Sequence, residues 1–365
     1  MKNILIPTKP DDQHALFVKL ALEKKGHQAI LWYTADFPEL QTHSFEFQKE
    51  NISWRAQGTD FEVQEDLKFD VVWWRRPRRP VIPNYVHPED MENATYENME
   101  LYKAFWHIVA PDAFWVNPIW GAKKSSCKLL QLKIAKSLDF NIPATLVSNN
   151  PTDIKKFISK NAASNTIFKP LFPVAWFGKN EIRLTYTKEI NLNMLPNDKY
   201  LQTTAGIFQK KIDKAFELRV NIFGNTCIAA KLSSQQHPQG IEDWRKIPTN
   251  ELLIDTFKLP DDIFRKCKLL MQEFGIVFGC FDFIVTPEGE YYFLEINEQG
   301  QFLWIEDVNP NIKILDAFTD FLISGSANFR WKRNSQSVSL KNYFQEMLHA
   351  KEQAIKSHQA PATLF

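Results

Sequence analysis

Apolar residues fall in short runs separated by polar stretches whose spacing changes from strand-like to helical and back. KNILIPT (2–8) reads as a β-strand, and DDQHALFVKLALEKKGH after it carries apolar residues at helical spacing as far as Gly26. HQAILWY (27–33) and FDVVWWRR (69–76) are further strands, the second preceded by what reads as a charged loop. This β-α-β rhythm predicts a small α/β domain over about residues 1–115. The helical stretch PEDMENATYENMELYKAFWHIV follows and stops before Pro111. WVNPIWGAKKSSCKLLQLKIAKSLDFNIPATLVSNN reads as a loop, a helix over about 125–138 capped by Ser125 or Ser126, and a strand after Pro143. NPTDIKKFISKN is a short helix, with NTIFKPLF and KNEIRLTYTK as strands.

A second strand-rich block runs from YLQTTAGIFQKKI through FELRVNIFGNTCIAAKLSS, where FGNT signals a hairpin turn. DDIFRKCKLLMQEFGI is an amphipathic helix closing at Gly275. GCFDFIVTPEGEYYFLEINEQGQ is a pair of strands joined by TPEGE, and ILDAFTDFLISG a closing helix. NFRWKRNSQS resembles a linker, and SLKNYFQEMLHAKEQAIKSH a last helix.

Length and charge narrow the picture. With 365 residues the chain suits two or three domains. Its net charge of +1 gives no global pull toward nucleic acid or an anionic membrane, and neither is expected as a partner. The 29 Phe and 11 Trp are read first as large cores and second as a groove lining. Cys127, Cys227, Cys267 and Cys280 lie far apart, which suits reduced thiols in a cytoplasmic protein. The first apolar run is too short for a signal peptide and is broken by Pro7 and Pro10.

Candidate chemistry concentrates in the TPEGE hairpin. Glu295 and Asn297 are two residues apart in a strand and share a face, and the hairpin brings Asp282 beside them. Two carboxylates and an amide on rigid strands suit a hard cation such as Mg²⁺, which takes one or two carboxylates and substrate phosphates. The alternative is a solvated pair of edge residues, but the flanks FLEI and CFDFIV are apolar and an unpaired buried carboxylate is costly. Lys128 opens a helix after a loop, Lys169 ends TIFKP, Arg219 sits in FELRVNIFG, and Lys231 lies across the hairpin in CIAAKLSS. Each alone reads as a surface cation, but Lys169, Arg219 and Lys231 sit in apolar strands, where a polyphosphate would neutralise several together.

In this order KSSCKLLQLKIAKSLDFNIPATL, IFKP, FQKKIDKAFELRVNIFG, AAKL, CFDFIV and FLEIN resemble the ATP-grasp ligases over about residues 115–325. Within that superfamily VVWWRRP, WVNP and LEINEQGQFLWIE are similar to the peptide-modifying members, the microviridin-type (graspetide) ligases. The resemblance implies an α/β and α+β architecture: an N-terminal pre-ATP-grasp domain (1–115), two ATP-grasp lobes (116–205 and 206–325), and a linker and helix (326–365). It implies that Lys128 and Lys169 hold ATP phosphates. Gln209, Lys210, Lys211 and Ile212 would be the hinge that pairs with adenine through backbone groups. Arg219 would stabilise the transferring phosphoryl group with Lys231 assisting, and Asp282, Glu295 and Asn297 would carry Mg²⁺. One departure stands out: the segment after the second lysine, LFPVAWFGKNE, has a single glycine, Gly178, where relatives carry a Gly-rich lid.

The run VVWWRRPRRP has three readings: a solvated loop, a nucleic-acid patch disfavoured by the near-neutral whole, or capture of carboxylates by Arg75 and Arg76. The resemblance favours the third. It implies an enzyme that uses ATP to phosphorylate an Asp or Glu side chain of a leader-bearing precursor peptide, then joins it to a hydroxyl or amine as an ω-ester or ω-amide. The alternatives are an ATP-grasp ligase for a different acid and amine, or a nucleotide-binding module without turnover. Residues 326–365 are expected to pack as a terminal helix or to mediate self-association, a homodimer among the expected partners.

Overall fold

The computed structural model describes residues 1–161, 165–171, 187–333 and 337–359 in full, and the backbone of strands at 175–177 and 182–184. The N-terminal part opens with β1 (Asn3–Thr8), α1 (Gln13–Lys24) and β2 (Gln28–Tyr33). β3 (Thr42–Phe47), β4 (Ile52–Gln57) and β5 (Glu62–Gln64) follow, then β6 (Val71–Trp73), α2 (Met91–Ile108) and β7 (Phe114–Val116). The parallel sheet has the order β2-β1-β6-β7, as a βαβ rhythm requires. β3, β4 and β5 form a separate antiparallel sheet where the sequence reading has a charged loop. Their signal is weak because only one face is apolar: Trp54, Ala56 and Val63 go into the core while the residues between them are exposed or half-buried.

The middle segment contains α3 (Ile119–Ser125), α4 (Lys128–Ser137), β8 (Thr145–Ser148), α5 (Pro151–Lys160) and β9 (Thr166–Lys169). β10 (Ala175–Phe177), β11 (Ile182–Leu184), β12 (Lys188–Ile190), α6 (Asp198–Thr203) and β13 (Gly206–Lys210) complete it. Its main sheet is β12-β9-β13-β8, with β10 and β11 as a separate pair. The helix expected over about 125–138 is α4, which starts three residues later, and the expected loop before it contains α3. Ser125 closes α3 with its Oγ on the Ala122 carbonyl, and Cys127, without a side-chain cap, precedes α4. Gly178 and most of LFPVAWFGKNE lie outside the described residues.

The last part is built on β14 (Phe216–Phe223), β15 (Thr226–Leu232), β16 (Ile254–Phe257), α7 (Asp261–Phe274), β17 (Phe278–Val285) and β18 (Tyr291–Asn297). α8 (Trp304–Val308), α9 (Ile314–Ser324) and α10 (Phe344–Ser357) close the chain. The sheet runs β16-β15-β14-β17-β18. Gly224, Gly275 and Gly289 take positive φ at the FGNT turn, the end of α7 and the TPEGE turn, as the sequence predicts.

One face of this sheet, with Leu218, Val220, Ile222 and Phe281, packs on α7 and α4. A second core joins β1, α1 and β6 to Phe223, Phe278, α9 and α10, so the N-terminal sheet and the last sheet share one hydrophobic interior. Among the described residues no helix is long and apolar enough to cross a membrane.

Candidate active site

The register of β14, β17 and β18 aligns Arg219, Asp282 and Glu295 in one row: Arg219 faces Asp282 and Asp282 faces Glu295. A bulge after Asp282 shifts the rest of β18, pairing Phe283 with Phe293. Arg219 Nη1 donates to both Asp282 oxygens at 2.8 Å, and its Nη2 to the Gln301 carbonyl at 2.9 Å. Lys128, the first residue of α4, donates to Glu295 Oε2 at 2.8 Å. Buried Gln131 on the same helix pins β18 by accepting the Ile296 N–H and donating to the Ile296 carbonyl. The row remains open to ligand, since Glu295 keeps 39% and Lys128 29% of the side chain exposed.

The charges here bias one another. Burial raises the Asp282 carboxyl above its usual range; Arg219 opposes that rise and the facing Glu295 adds to it. Burial would raise Glu295 too, but Lys128, and then Lys169 and Arg219, bring it below its usual range. Lys169 on β9 is held below the lysine range by burial, against the pull of Glu295 and with Lys128 adding repulsion. Its Nζ donates to Gln209 Oε1 at 3.1 Å, and Gln209 Nε2 donates in turn to Thr145 Oγ1. A half-buried ammonium held by a neutral amide, beside a second lysine, is a site that gains from an incoming anion.

Asn297 stands beyond Glu295 on β18, and its Oδ1 accepts the Gly300 N–H at 2.8 Å, leaving a second lone pair on that oxygen. Among the described residues no cluster of three or more His, Cys, Asp or Glu could hold a metal ion. Two carboxylates and one amide are the smaller donor set that Mg²⁺ takes when phosphate oxygens complete its shell, so Asp282, Glu295 and Asn297 fit it. The buried Arg219 Nε, which has no partner among the described residues, is a further donor in this row.

The other expected residues divide. In the hinge the Lys210 N–H reaches the Ala144 carbonyl and the Lys211 N–H the Asn165 carbonyl, and Lys211 Nζ pairs with Glu189. The Ile212 N–H has no partner among the described residues. Lys231 is a correction: it pairs with Leu218 and its Nζ lies 4.6 Å from the Phe216 ring centre. Opposed residues share a face, so Lys231 is on the side of the sheet away from Arg219.

Arg75 is a second correction. It is fully buried, bonded to Asp12 at 3.0 Å and to the carbonyls of Gln299 and Gly300, so it has no hand free for a substrate carboxylate. Arg76 is half-buried, and its side chain makes no ion pair among the described residues.

Sequence reasoning missed Arg245. Asp243 grips its guanidinium, which lies within electrostatic reach of Glu295 and Asp282. Trp244 between them stacks on Trp304 at 4.7 Å, tying this loop to the turn after β18. The spacing Asp-Trp-Arg was the available signal, since an aspartate two residues before an arginine can fork it. Glu298 was also missed; burial, then Glu295, pushes its carboxyl up to about 7.

Solved structures share this architecture. A RiPP-associated ATP-grasp ligase of Chryseobacterium gregarium, in complex with ADP and a leader and core peptide, superposes with a TM-score of 0.80 at 27% identity, over 91% of this chain and 100% of that one. Macrocyclase MdnC of Microcystis aeruginosa MRC, bound with precursor peptide MdnA, gives 0.76 at 28% identity over 89% and 100%. The chain has the ATP-grasp fold. Macrocyclase MdnB of Microcystis aeruginosa MRC gives 0.72 at 26% identity, covering 88% of this chain and 99% of that one. No family model and no curated protein matches the sequence. The ATP-grasp resemblance read from the ordered lysine, arginine and carboxylate motifs is thus borne out by likeness over about nine-tenths of the chain.

Proposed function

We propose that this ATP-grasp protein is a ligase that uses ATP to activate Asp or Glu side chains of a ribosomally made precursor peptide and closes them into ω-ester or ω-amide crosslinks. The observation that carries the reading is the row Arg219–Asp282–Glu295–Lys128, with Lys169 beside it on the other lobe. In the first step a peptide carboxylate attacks the γ-phosphorus of ATP, the bond to the bridging oxygen breaks, and ADP leaves. In the second, a hydroxyl or amine of the same peptide attacks the acyl phosphate, phosphate departs, and the nucleophile's proton passes to solvent or a nearby base.

Lys128 and Lys169 bind the phosphates, and Arg219 stabilises the charge that develops on the transferred group. Ile212 N–H offers adenine a hinge donor. Asp282, Glu295 and Asn297 would hold Mg²⁺, which when bound neutralises phosphate charge. Arg76 is a cation available to receive the peptide's acidic side chains. A cavity of about 550 Å³ lined by Pro238, Gln239, Glu242, Arg245 and Lys246 offers room for a side chain beside Arg245. The four free cysteines accord with a cytoplasmic site of action.

The test is co-expression with a short peptide encoded beside the gene, followed by mass spectrometry of the peptide. Loss of one water per crosslink, with ADP release, supports the reading. ADP release with free amino acids alone, and an unchanged peptide, would reassign the protein to ligation of small substrates. ATP binding without ADP release under either condition would leave a nucleotide-binding module.

A further inference from the structure

The turn after β18, from Glu298 to Leu303, is held from the N-terminal sheet. Arg75 emerges at the end of β6 and donates through one nitrogen to two consecutive carbonyls, Gln299 and Gly300. Asp12 holds the other side of the guanidinium at 3.0 and 3.4 Å, and is itself fixed by Thr8 Oγ1 and by the His14 and Ala15 N–H groups at the start of α1. Two residues along, His14 Nε2 accepts two consecutive N–H groups, Phe302 at 3.0 Å and Leu303 at 3.1 Å. The ring is therefore neutral, and burial, then the neighbouring Arg75, holds its pKa well below the usual histidine range.

Gln301 lies between the gripped carbonyls and the gripped amides. Its carbonyl accepts from Arg219 Nη2 and Trp304 Nε1, both at 2.9 Å. On the near side, the Gly300 N–H orients the Asn297 amide. Gly300 itself has no slack: φ is +50°, and a Cβ there would meet Cys280 Sγ at 2.5 Å. Among the described residues Arg219 has two anchors, Asp282 and the Gln301 carbonyl, and its Nε has no partner there. Any ligand that draws on Asp282 leaves the Gln301 carbonyl as the remaining anchor.

We infer that Arg75, His14 and Asp12 are positioning residues for the nucleotide-metal site: through the turn at 299–303 the N-terminal domain sets the orientation of Arg219 and Asn297. This rests on the proposed nucleotide reading and adds to it a role for a domain otherwise assigned only to the peptide. None of the three need touch ATP or peptide. An ångström's shift of the turn would stretch the Gln301–Arg219 bond from 2.9 Å beyond hydrogen-bonding range.

The experiment measures ADP affinity of the full chain by calorimetry, with and without Mg²⁺, for wild type, Arg75→Ala, His14→Leu and His14→Gln. In wild type Mg²⁺ should tighten ADP binding. Arg75→Ala and His14→Leu should keep the metal-free affinity and lose roughly tenfold or more of the gain from Mg²⁺, the scale on which small misplacements act. His14→Gln, whose side-chain oxygen can accept the same two N–H groups, should retain most of that gain. Full retention in Arg75→Ala and His14→Leu overturns the inference, as does an equal loss with and without metal. If circular dichroism shows Arg75→Ala unfolded, the His14 pair decides by the same criterion. A wild type that binds no ADP refutes the nucleotide reading instead.

Discussion

At the residue scale the decisive pairing is Arg219 with Asp282. Their bond joins a buried cation to a carboxylate that burial would otherwise protonate more readily, and each depends on the other. Asp282→Asn and Glu295→Gln should each abolish Mg²⁺-dependent ADP production while leaving the far-ultraviolet circular dichroism unchanged; production at the wild-type rate by both would remove the metal assignment. Arg219→Lys keeps a cation beside Asp282 but cannot bond it and the Gln301 carbonyl in the same fork. It should lower kcat by about 10²-fold, as loss of a charge-stabilising donor does, with ATP affinity changed less. Steady-state turnover at saturating ATP and peptide, set beside calorimetric affinity, checks this. Lys169, Arg219, Asp282 and Glu295 stood out because a charged residue in an apolar strand advertises a need for a partner. Arg75 carried the same signal and meant something else: its partners are Asp12 and two carbonyls inside the protein. The sequence cannot distinguish a cation awaiting a ligand from one already satisfied by a distant segment.

At the scale of elements, most boundaries followed from turn chemistry and periodicity, including the hairpins at FGNT and TPEGE and the end of α7 at Gly275. β3 to β5 did not, because alternation with polar residues on the outer face resembles a charged loop. Lys231 failed for a related reason. Facing two strands across a hairpin is not enough, since a register change of one residue moves a side chain to the other face. Joints between elements rest on single amides that sequence patterns do not weigh. Asn117, just after β7, donates to the carbonyls of Phe278 and Glu298 and accepts the N–H groups of Val277 and Phe278. It is 1% exposed, so its removal leaves these backbone groups without water. Asn117→Ala should therefore destabilise the protein by roughly 2–4 kcal/mol, several lost or unsatisfied bonds at ~1 kcal/mol each. Equilibrium denaturant unfolding measures it, and a midpoint equal to wild type would show that the joint relaxes at no cost.

At the scale of the whole molecule the chain closes on itself. α10 packs against α1, and the residues after it return to the N-terminal sheet: His358 Nδ1 meets Asp36 at 2.6 Å and Nε2 meets Asp60 at 2.8 Å, while the ring packs 4.2 Å from Tyr33. Burial alone would lower the His358 pKa, but the hydrogen bond and charge of Asp36, then Asp60, raise it above the usual value of 6.5. A raised folded-state pKa means that the tether's contribution is fully present below the unfolded pKa and is lost as pH rises through the folded one. The Tm difference between wild type and His358→Asn should thus be wider at pH 6 than at pH 8.5, by a few degrees in differential scanning fluorimetry. An equal difference at both pH values would show that the imidazole's charge plays no part.

By itself the sequence determined the local alphabet: strands and helices from periodicity, turns from glycine, and the order of lysines, arginine and carboxylates that carries the ATP-grasp resemblance. These are short-range properties, set by side-chain spacing along one segment. Only the tertiary structure decided which cations were already spent and which face of the sheet each residue occupied. It also brought Arg245 within electrostatic reach of the carboxylates and gave the N-terminal sheet its hold, through Arg75 and His14, on the turn after β18. The contacts of Arg75 and His14 join residues more than two hundred positions apart in the chain, and nothing in the spacing of either segment encodes the other.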